Sequence, residues 1–413
     1  MSLGILLSIL SSIVIARLLD QEGYGVYSFF LAMVAIFTIP LSAGLPLFLT
    51  RNVARGFETL KWNDCRELIV ASYKYVVAAS LLLILAVVLT AGIFQVPLFA
   101  YDKMLVLVAA SFVAPFMAMA SINSGIVRGF HSPLASLFPQ QILQPLLALT
   151  GVVICSALLG LNYQRAIGVY FTSFILVFTV SVVILFFVAP AAVRQASPVR
   201  FNWSRWSKSI TTFAVLSGVI VLNTNLVIFL LGLSGQDAAA AQLRVAERGA
   251  QLVVFPIMAL ENILASRIVA ANSNVNKLAE MKALSLASSR SCTLLAVFVS
   301  SILIFGGETI LHVTFGSSYS DTAYRPMVVL ILAQLVFVML GSSALFLTMS
   351  GFEVHGLIGN ILSVVIICIA ASFLMRFGAI GGALSFAAGL ILSKIYFVLL
   401  ARIKLGFWTG VFG

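Results

Sequence analysis

Eight long segments of this chain contain no Asp, Glu, Lys or Arg at all: 23–50, 75–101, 104–127, 129–164, 166–193, 209–236, 326–352 and 354–375. A bilayer core of about 30 Å is crossed by roughly 20 apolar residues of helix, so each segment is long enough to span. Shorter apolar stretches at 1–16, 291–307 and 377–393, with a partly charged helix from Asp237 to about Ala271, bring the expected spans to twelve. Uninterrupted runs without two-residue alternation point to helices, which satisfy their own backbone in lipid, and not to barrel strands. The fold class is therefore all-α and polytopic. A soluble fold is excluded, because 62% of the residues are hydrophobic and only 9% charged, against roughly 25% charged in soluble domains.

The chain opens on an apolar run at Met1 without the charged n-region and small-residue site of a removable leader, so that run is taken as the first span. Lys and Arg then orient the spans, since short cytoplasmic loops collect them. Seventeen of the 24 fall on alternate connections: Arg51, Arg55, Lys61, Arg66 and Lys74; Arg128; Arg194, Arg200, Arg205 and Lys208; Arg267, Lys277, Lys282 and Arg290; Lys394, Arg402 and Lys404. The opposite connections hold Arg17, Lys103, Arg165, Arg325 and Arg376, while Arg244 and Arg248 lie inside a helix. Both termini are expected in the cytoplasm, and the net charge of +11 is accounted for by topology and attraction to anionic lipid, with no need of nucleic acid. Residues 51–74 mix charged and apolar types and are expected to lie as one interfacial helix, with Trp203 and Trp206 as headgroup-level anchors.

Four cysteines (Cys65, Cys155, Cys292, Cys368) and three histidines (His131, His312, His355) are scattered without metal-like spacing. No metal or other cofactor is expected. The two halves match weakly at a constant offset of 216: Pro40, Arg51, Val53 and Ala54 recur as Pro256, Arg267, Val269 and Ala270. Duplication of a six-helix unit fits, with chance as the alternative for four positions. The expected organisation is an N-terminal six-helix lobe over 1–193, a cytoplasmic linker over 194–208 and a C-terminal lobe over 209–413. Repeats of this kind place a substrate path between the halves, with interrupted helices pointing to it.

The segment ARLLDQEGYGVYSFFLAMVAIFTIPLSAGLPLFLTRNVAR, from Ala16 to Arg55, resembles the start of the oligosaccharide flippases of bacterial polysaccharide biosynthesis, in which helix 1 ends in an A-R-L-L-like turn followed by G-x-Y. The stretch AAAAQLRVAERGAQLVVFPIMALENILASRIVAAN resembles the eighth helix of the same family. The very short stretch ahead of the A-R-L-L turn departs from the family pattern. The resemblance implies a superfamily that also holds peptidoglycan lipid flippases and multidrug and toxin extruders, built as two six-helix lobes around a cavity that opens alternately to each side. It further implies a cargo of glycan on undecaprenyl pyrophosphate, carried across the bacterial cytoplasmic membrane. Expected partners are that lipid-linked oligosaccharide, membrane lipids, a coupling ion (proton or sodium) and polysaccharide-assembly proteins.

Arg244, Glu247, Arg248 and Gln251 are the most informative residues. An arginine deep in a membrane helix costs about 2.5–3.5 kcal/mol on insertion scales. At about 100° per residue, Arg248 lies roughly 40° from Arg244 and Gln251 roughly 20° to its other side, and Asn262 returns to the same angle, so one polar stripe runs down the helix. On one reading both arginines pair with the pyrophosphate or acidic sugars of a cargo, since guanidinium suits bidentate phosphate contacts. On the other, Glu247 neutralises Arg244 at i,i+3 and Arg244 snorkels to the interface. Arg17, in the A-R-L-L turn, is a second cationic candidate. Gln140, Gln141 and Gln144, with Asn223 and Asn225, are candidates either for sugar contacts or for interhelical bonds. Pro40 and Pro256 kink their helices and are candidate hinges. Glu261 is the other acidic residue inside an expected span.

A multidrug exporter of the same fold is the nearer alternative and would present carboxylates to its path. A membrane glycan polymerase or glycosyltransferase is the more distant one, since the outer connections are short and carry few acidic residues. The residues favour a transporter over an enzyme.

Overall fold

The computed structural model describes residues 2–42, 44–93, 101–196, 203–272 and 277–411, and these contain helices and turns but no strand. In chain order the helices are α1 (Ser2–Leu18), α2 (Gln21–Ser42), α3 (Leu45–Glu58), α4 (Trp62–Ile93), α5 (Tyr101–Gly129), α6 (Pro133–Phe138) and α7 (Gln144–Leu159), the last two joined by a π-helical turn at Pro139–Leu143. They continue as α8 (Tyr163–Val188), α9 (Ala191–Gln195), α10 (Trp203–Leu233), α11 (Asp237–Asn272), α12 (Lys277–Phe305), α13 (Gly307–Phe315), α14 (Ser317–Met339), α15 (Ser343–Met349), α16 (Glu353–Leu374) and α17 (Gly378–Leu405).

Among the described residues, nine helical stretches are long and apolar enough to cross a membrane. One of them, 354–405, contains both α16 and α17. Among the described residues, adding the shorter apolar α1 and the more charged 36-residue α11 gives the twelve spans expected from the sequence. The chain divides into two compact units that change over inside α10, at Asn225 and Leu226, whereas the charge pattern puts the break at 194–208.

In the first unit α5 is the centre, packed by α2, α3, α4 and α8. Lipid supplies no hydrophobic drive between helices, so small residues that let backbones approach set such contacts. A Cβ on Gly125 would lie 2.5 Å from the Pro46 carbonyl oxygen. Thr50 Oγ1 uses that closeness to donate to the Gly125 carbonyl at 3.0 Å.

Residues 51–74 depart from the expectation of one interfacial helix. The chain ends α3 at Glu58, turns through Leu60 at φ 54°, and starts the membrane helix α4 at Trp62. The reason is burial: Phe48, Leu49 and Val53 of α3 and Cys65 and Leu68 of α4 share one core, which a single straight helix would not place on one face. The side chains of Trp203 and Trp206 fall outside the described ones.

The second unit is built on packing of α11 against α14, and of α17 against α14 and α16. Glycines again mark the close approaches, with Gly249 of α11 facing the Met327 sulfur of α14. The residues after α17 form a strap across the end of the unit. Ser285 and Ser289 of α12 donate to the Thr409 carbonyl at 3.0 and 2.8 Å, and the Val411 amide donates to the Met339 carbonyl at 3.0 Å.

Lys394, counted above among the cations of a cytoplasmic connection, is not in a connection. It lies inside α17, 2% exposed, roughly 12 Å before Arg402 at about 1.5 Å per residue. The apolar stretch beginning at 377 does not end at Lys394; α17 carries on through it to Leu405.

Candidate functional site

α11 runs unbroken from Asp237 to Asn272 through Pro256, so the stripe read from the sequence is a true ridge. Arg244 Nη1 lies 3.4 Å from Glu247 Oε2, with the two side chains 12% and 20% exposed. One turn further along, Arg248 Nη1 donates to Gln251 Oε1 at 3.4 Å. Both arginines keep their Nε atoms buried and extend their ends along the ridge. The two pairs are chemically unequal. Glu247 offsets one guanidinium, whereas the amide of Gln251 offers an oxygen and no charge, so the ridge carries a net positive charge centred on Arg248. The Asn262 side chain lies outside the described ones.

The remaining candidates belong to the first unit and do not form one group. Gln140 donates from Nε2 to Ser121 Oγ of α5 at 2.9 Å, the interhelical use of an amide. Gln141 sits where α1 comes closest, since a Cβ on Gly4 would run into the Gln141 carbonyl. Both glutamines lie in the π-helical turn, and Gln144 begins α7 directly after it. Arg17, exposed in the last turn of α1, is roughly 20 Å along the helix from Gly4 at about 1.5 Å per residue, and so is separate from these amides. In α10, Asn225 donates to the Val221 carbonyl and to Thr224 Oγ1, each at 3.0 Å, while Asn223 is half-buried.

The two prolines differ in setting. Pro40 stands near the end of α2, its carbonyl accepts from Tyr75 Oη at 2.8 Å, and the chain turns at Gly44, φ 76°. Pro256 interrupts the hydrogen-bond ladder of a helix that continues well beyond it, to Asn272.

Two features lay outside the sequence-derived set. A cavity of about 390 Å³ between α5 and α8 is lined by apolar residues such as Phe112, Ile167 and Phe171, together with Tyr163 and Gln164. Lys394 stands over the Phe337 ring of α14, 3.9 Å from the centroid. A cation–π contact in a desolvated site is worth about 2 kcal/mol, comparable to the cost of holding a lysine in a membrane helix. The length of a membrane span, measured from Gly378, would have been enough to place Lys394 inside the helix.

Long apolar helices divided between two compact units give this chain the fold of transporters of the multidrug, oligosaccharidyl-lipid and polysaccharide exporter superfamily. A multidrug resistance MATE family transporter of that superfamily, in an inward-facing conformation, is similar with a TM-score of 0.80 at 15% identity, over 98% of this chain and 95% of that one. The lipid II flippase MurJ, in an inward closed conformation, is similar with a TM-score of 0.68 at 14% identity, over 97% and 86%. A superfamily transporter from Pyrococcus furiosus, described as having a binding pocket of reversed polarity, is similar with a TM-score of 0.65 at 14% identity, over 98% and 94%. No curated protein matches the chain. The polysaccharide biosynthesis protein family matches residues 2–260, well over half of the 413, and the chain belongs to that family.

Proposed function

We propose that this protein is a flippase that moves an undecaprenyl-pyrophosphate-linked oligosaccharide from the inner to the outer leaflet of the bacterial cytoplasmic membrane, by alternating access, for O-antigen, capsule or exopolysaccharide assembly. Membership of a polysaccharide biosynthesis family supports the cargo class, and the likeness to a lipid II flippase supports a lipid-linked one. The observation that carries the reading is the ridge on α11, where two arginines share one carboxylate and Arg248 donates to a neutral amide. A diphosphate bears the charge that such a ridge lacks, and its oxygens match the guanidinium fork. Gln141, Gln144 and Asn223 are candidate sugar contacts, Arg17 is a second cationic contact, and Pro40 and Pro256 are the candidate hinges.

The six-helix lobes of this reading are 1–193 and 209–413, joined by 194–208, with both termini in the cytoplasm. Lys394 lies inside α17, and most of the other 16 cations on the side read as cytoplasmic, such as Lys74, Arg267 and Arg290, also lie within helices; their excess over the five on the opposite side supports the orientation. Partners are membrane lipids, the lipid-linked glycan, a coupling ion and the enzymes that assemble the polymer. The chain acts as a transporter and performs no bond-making step.

The test is transfer of a fluorescent lipid-linked oligosaccharide across vesicles containing the purified protein. Replacing Arg244 and Arg248 together by Ala is expected to abolish transfer while the protein remains folded; retained transfer overturns the cargo role of the ridge. The similarity to multidrug MATE transporters sustains one competing reading, export of organic cations. That reading requires the double variant to improve or leave unchanged the efflux of a cationic dye.

A further inference from the structure

The cavity between α5 and α8 lies within the first compact unit, whereas the arginine ridge lies in the second, and the cargo role makes no use of it. Its lining runs from Leu105 to Val113 on α5 and from Tyr163 to Phe171 on α8, about 12 Å of each helix at about 1.5 Å per residue. Both stretches belong to helices long and apolar enough to cross a membrane. Val106 and Val113 are buried and form a back wall, while Leu105 and Phe112 are exposed. The cavity therefore opens sideways, between two spans, toward the bilayer. Beyond Val113, Phe116 of α5 meets the Phe171 ring edge-on, 5.8 Å between centroids, and this aromatic pair closes the end away from Tyr163.

The polarity of the lining changes along its length. Tyr163 and Gln164 are adjacent in the first turn of α8, with Gln164 Nε2 donating to Tyr163 Oη at 3.4 Å. Arg165 is exposed in the same turn. Its Nη1 donates to the Gly160 carbonyl at 2.9 Å and to the Leu159 carbonyl, which holds the guanidinium at the end of the span. That turn has no acidic residue, and the start of a helix adds partial positive charge. Asp102 and Lys103 at the start of α5 carry opposite charges, so Arg165 sets the sign of this end. The rest of the lining is apolar: water would find too few polar partners there, and an empty space would forfeit dispersion contacts. At about 390 Å³ the volume falls in the range of roughly 300–1,000 Å³ of small-molecule sites.

We propose that this cavity binds one acyl chain of an anionic bilayer phospholipid, whose phosphate lies at the start of α8 beside Tyr163, Gln164 and Arg165. The sideways opening admits a chain directly from the membrane, and the apolar wall between Leu105 and Phe171 takes its flexible end. A single guanidinium matches the one charge of a phosphodiester, whereas the diphosphate of the proposed cargo carries more charge and finds two arginines on α11. Gly168 keeps the site open: a Cβ there meets no atom within 4 Å, so a larger side chain has room and takes the place of the lipid. A seated chain fills the gap between α8 and α5, the helix on which the first unit is built.

The test titrates the purified full chain in detergent with phosphatidylglycerol and, separately, with zwitterionic phosphatidylcholine, read by native mass spectrometry. The wild type is expected to retain phosphatidylglycerol with a preference of about two- to five-fold, the scale of one exposed ion pair. Gly168→Phe is expected to weaken retention roughly ten-fold or more, since about two methylenes of lost burial correspond to ten-fold in affinity. The same variant is expected to melt no lower than the wild type in lipid-free detergent, because it removes a glycine from a helix interior without a collision. Arg165→Gln is expected to erase the preference for the anionic lipid and Arg165→Lys to keep it. Phosphatidylglycerol with a photoreactive diazirine in its chain is expected to label the wild type at residues 105–113 and 163–171, a readout independent of how any variant folds. Labelling spread evenly over the spans, equal retention of the two lipids, or wild-type retention in Gly168→Phe overturns the proposal. So does displacement of phosphatidylglycerol by an equimolar amount of undecaprenyl phosphate, which would give the site to the tail of the proposed cargo. No transfer step enters these readouts, so a failure of glycan transfer leaves them unchanged.

Discussion

Arg244 Nη1 and Glu247 Oε2 stand 3.4 Å apart on one ridge of α11, in side chains 12% and 20% exposed. Exposed i,i+3 pairs contribute about 0.2–0.5 kcal/mol, and burial raises the penalty for breaking a pair more than it raises the value of keeping it. Glu247→Ala is therefore expected to destabilise the protein more than Arg244→Ala, because it strands a guanidinium in a membrane helix at a cost on the order of 2.5 kcal/mol. The double variant is expected to recover most of that loss. Thermal unfolding of the three purified variants checks this, and additive losses would show that the two residues are not energetically paired.

Arg248 has a different partner and a different expected outcome. Gln251 Oε1 accepts its Nη1, so removing Arg248 leaves no uncompensated charge, and Arg248→Ala is expected to keep wild-type thermal stability. Charge-assisted hydrogen bonds contribute about 1.5–3 kcal/mol, which corresponds to a loss of roughly 10- to 150-fold in affinity for a pyrophosphate-bearing lipid. Affinity for an uncharged lipid of the same tail is expected to stay constant. Binding measured in parallel for the two lipids decides it, and an equal loss for both would remove phosphate from the role of Arg248.

In the first unit, Asn123 of α5 is fully buried, accepts from Tyr73 Oη of α4 and donates to Ser181 Oγ of α8 at 2.8 Å. One amide therefore ties three membrane helices. Interhelical hydrogen bonds of this kind contribute about 0.6 kcal/mol on average and up to about 1.7 kcal/mol. Asn123→Leu removes two, and a loss on the order of 1–3 kcal/mol is expected. Asn123→Asp keeps the acceptor but buries a charge, so it is expected to be worse than the leucine variant. The reverse order, read by melting temperature in detergent, would show that packing at Asn123 matters more than its hydrogen bonds.

The spans were legible because a charge-free run long enough to cross a bilayer has few alternatives in water or in lipid. The ridge was legible because helical periodicity alone puts Arg244, Glu247, Arg248 and Gln251 on one face. What the sequence concealed depends on tertiary burial. Lys394 was assigned to a loop because a lysine near two further cations, Arg402 and Lys404, looks like the end of a span; the aromatic face of Phe337 that shelters it comes from another helix. Residues 51–74 looked interfacial because their charges are interspersed with apolar residues. Only the shared core of Phe48, Leu49, Cys65 and Leu68 demands the break at Leu60. Gln140 illustrates a third limit: its bond to Ser121 is a contact with another helix, and no pattern within residues 133–159 contains that information.

The strap after α17 provides the sharpest steric test. Gly341 adopts φ 71°, and a Cβ there would fall on the Thr409 carbonyl oxygen, the same oxygen that accepts from Ser285 and Ser289. Gly351 adopts φ 89° with nothing within 4 Å of a Cβ. Both positions carry the left-handed backbone penalty of about 1–2 kcal/mol for a residue with a side chain, but only Gly341 adds a collision. Gly351→Ala is therefore expected to cost about 1 kcal/mol, and Gly341→Ala on the order of 3 kcal/mol or more, since the strap must lift and give up its two serine donors. Deleting residues 406–413 removes the colliding carbonyl. In that shortened chain the added Cβ meets only Ser289 Oγ, which can rotate away, so Gly341→Ala is expected to cost little more than Gly351→Ala, although the shortened chain itself is less stable. If the two glycine variants still differ by the full amount after the deletion, the strap is not what holds Gly341 to glycine.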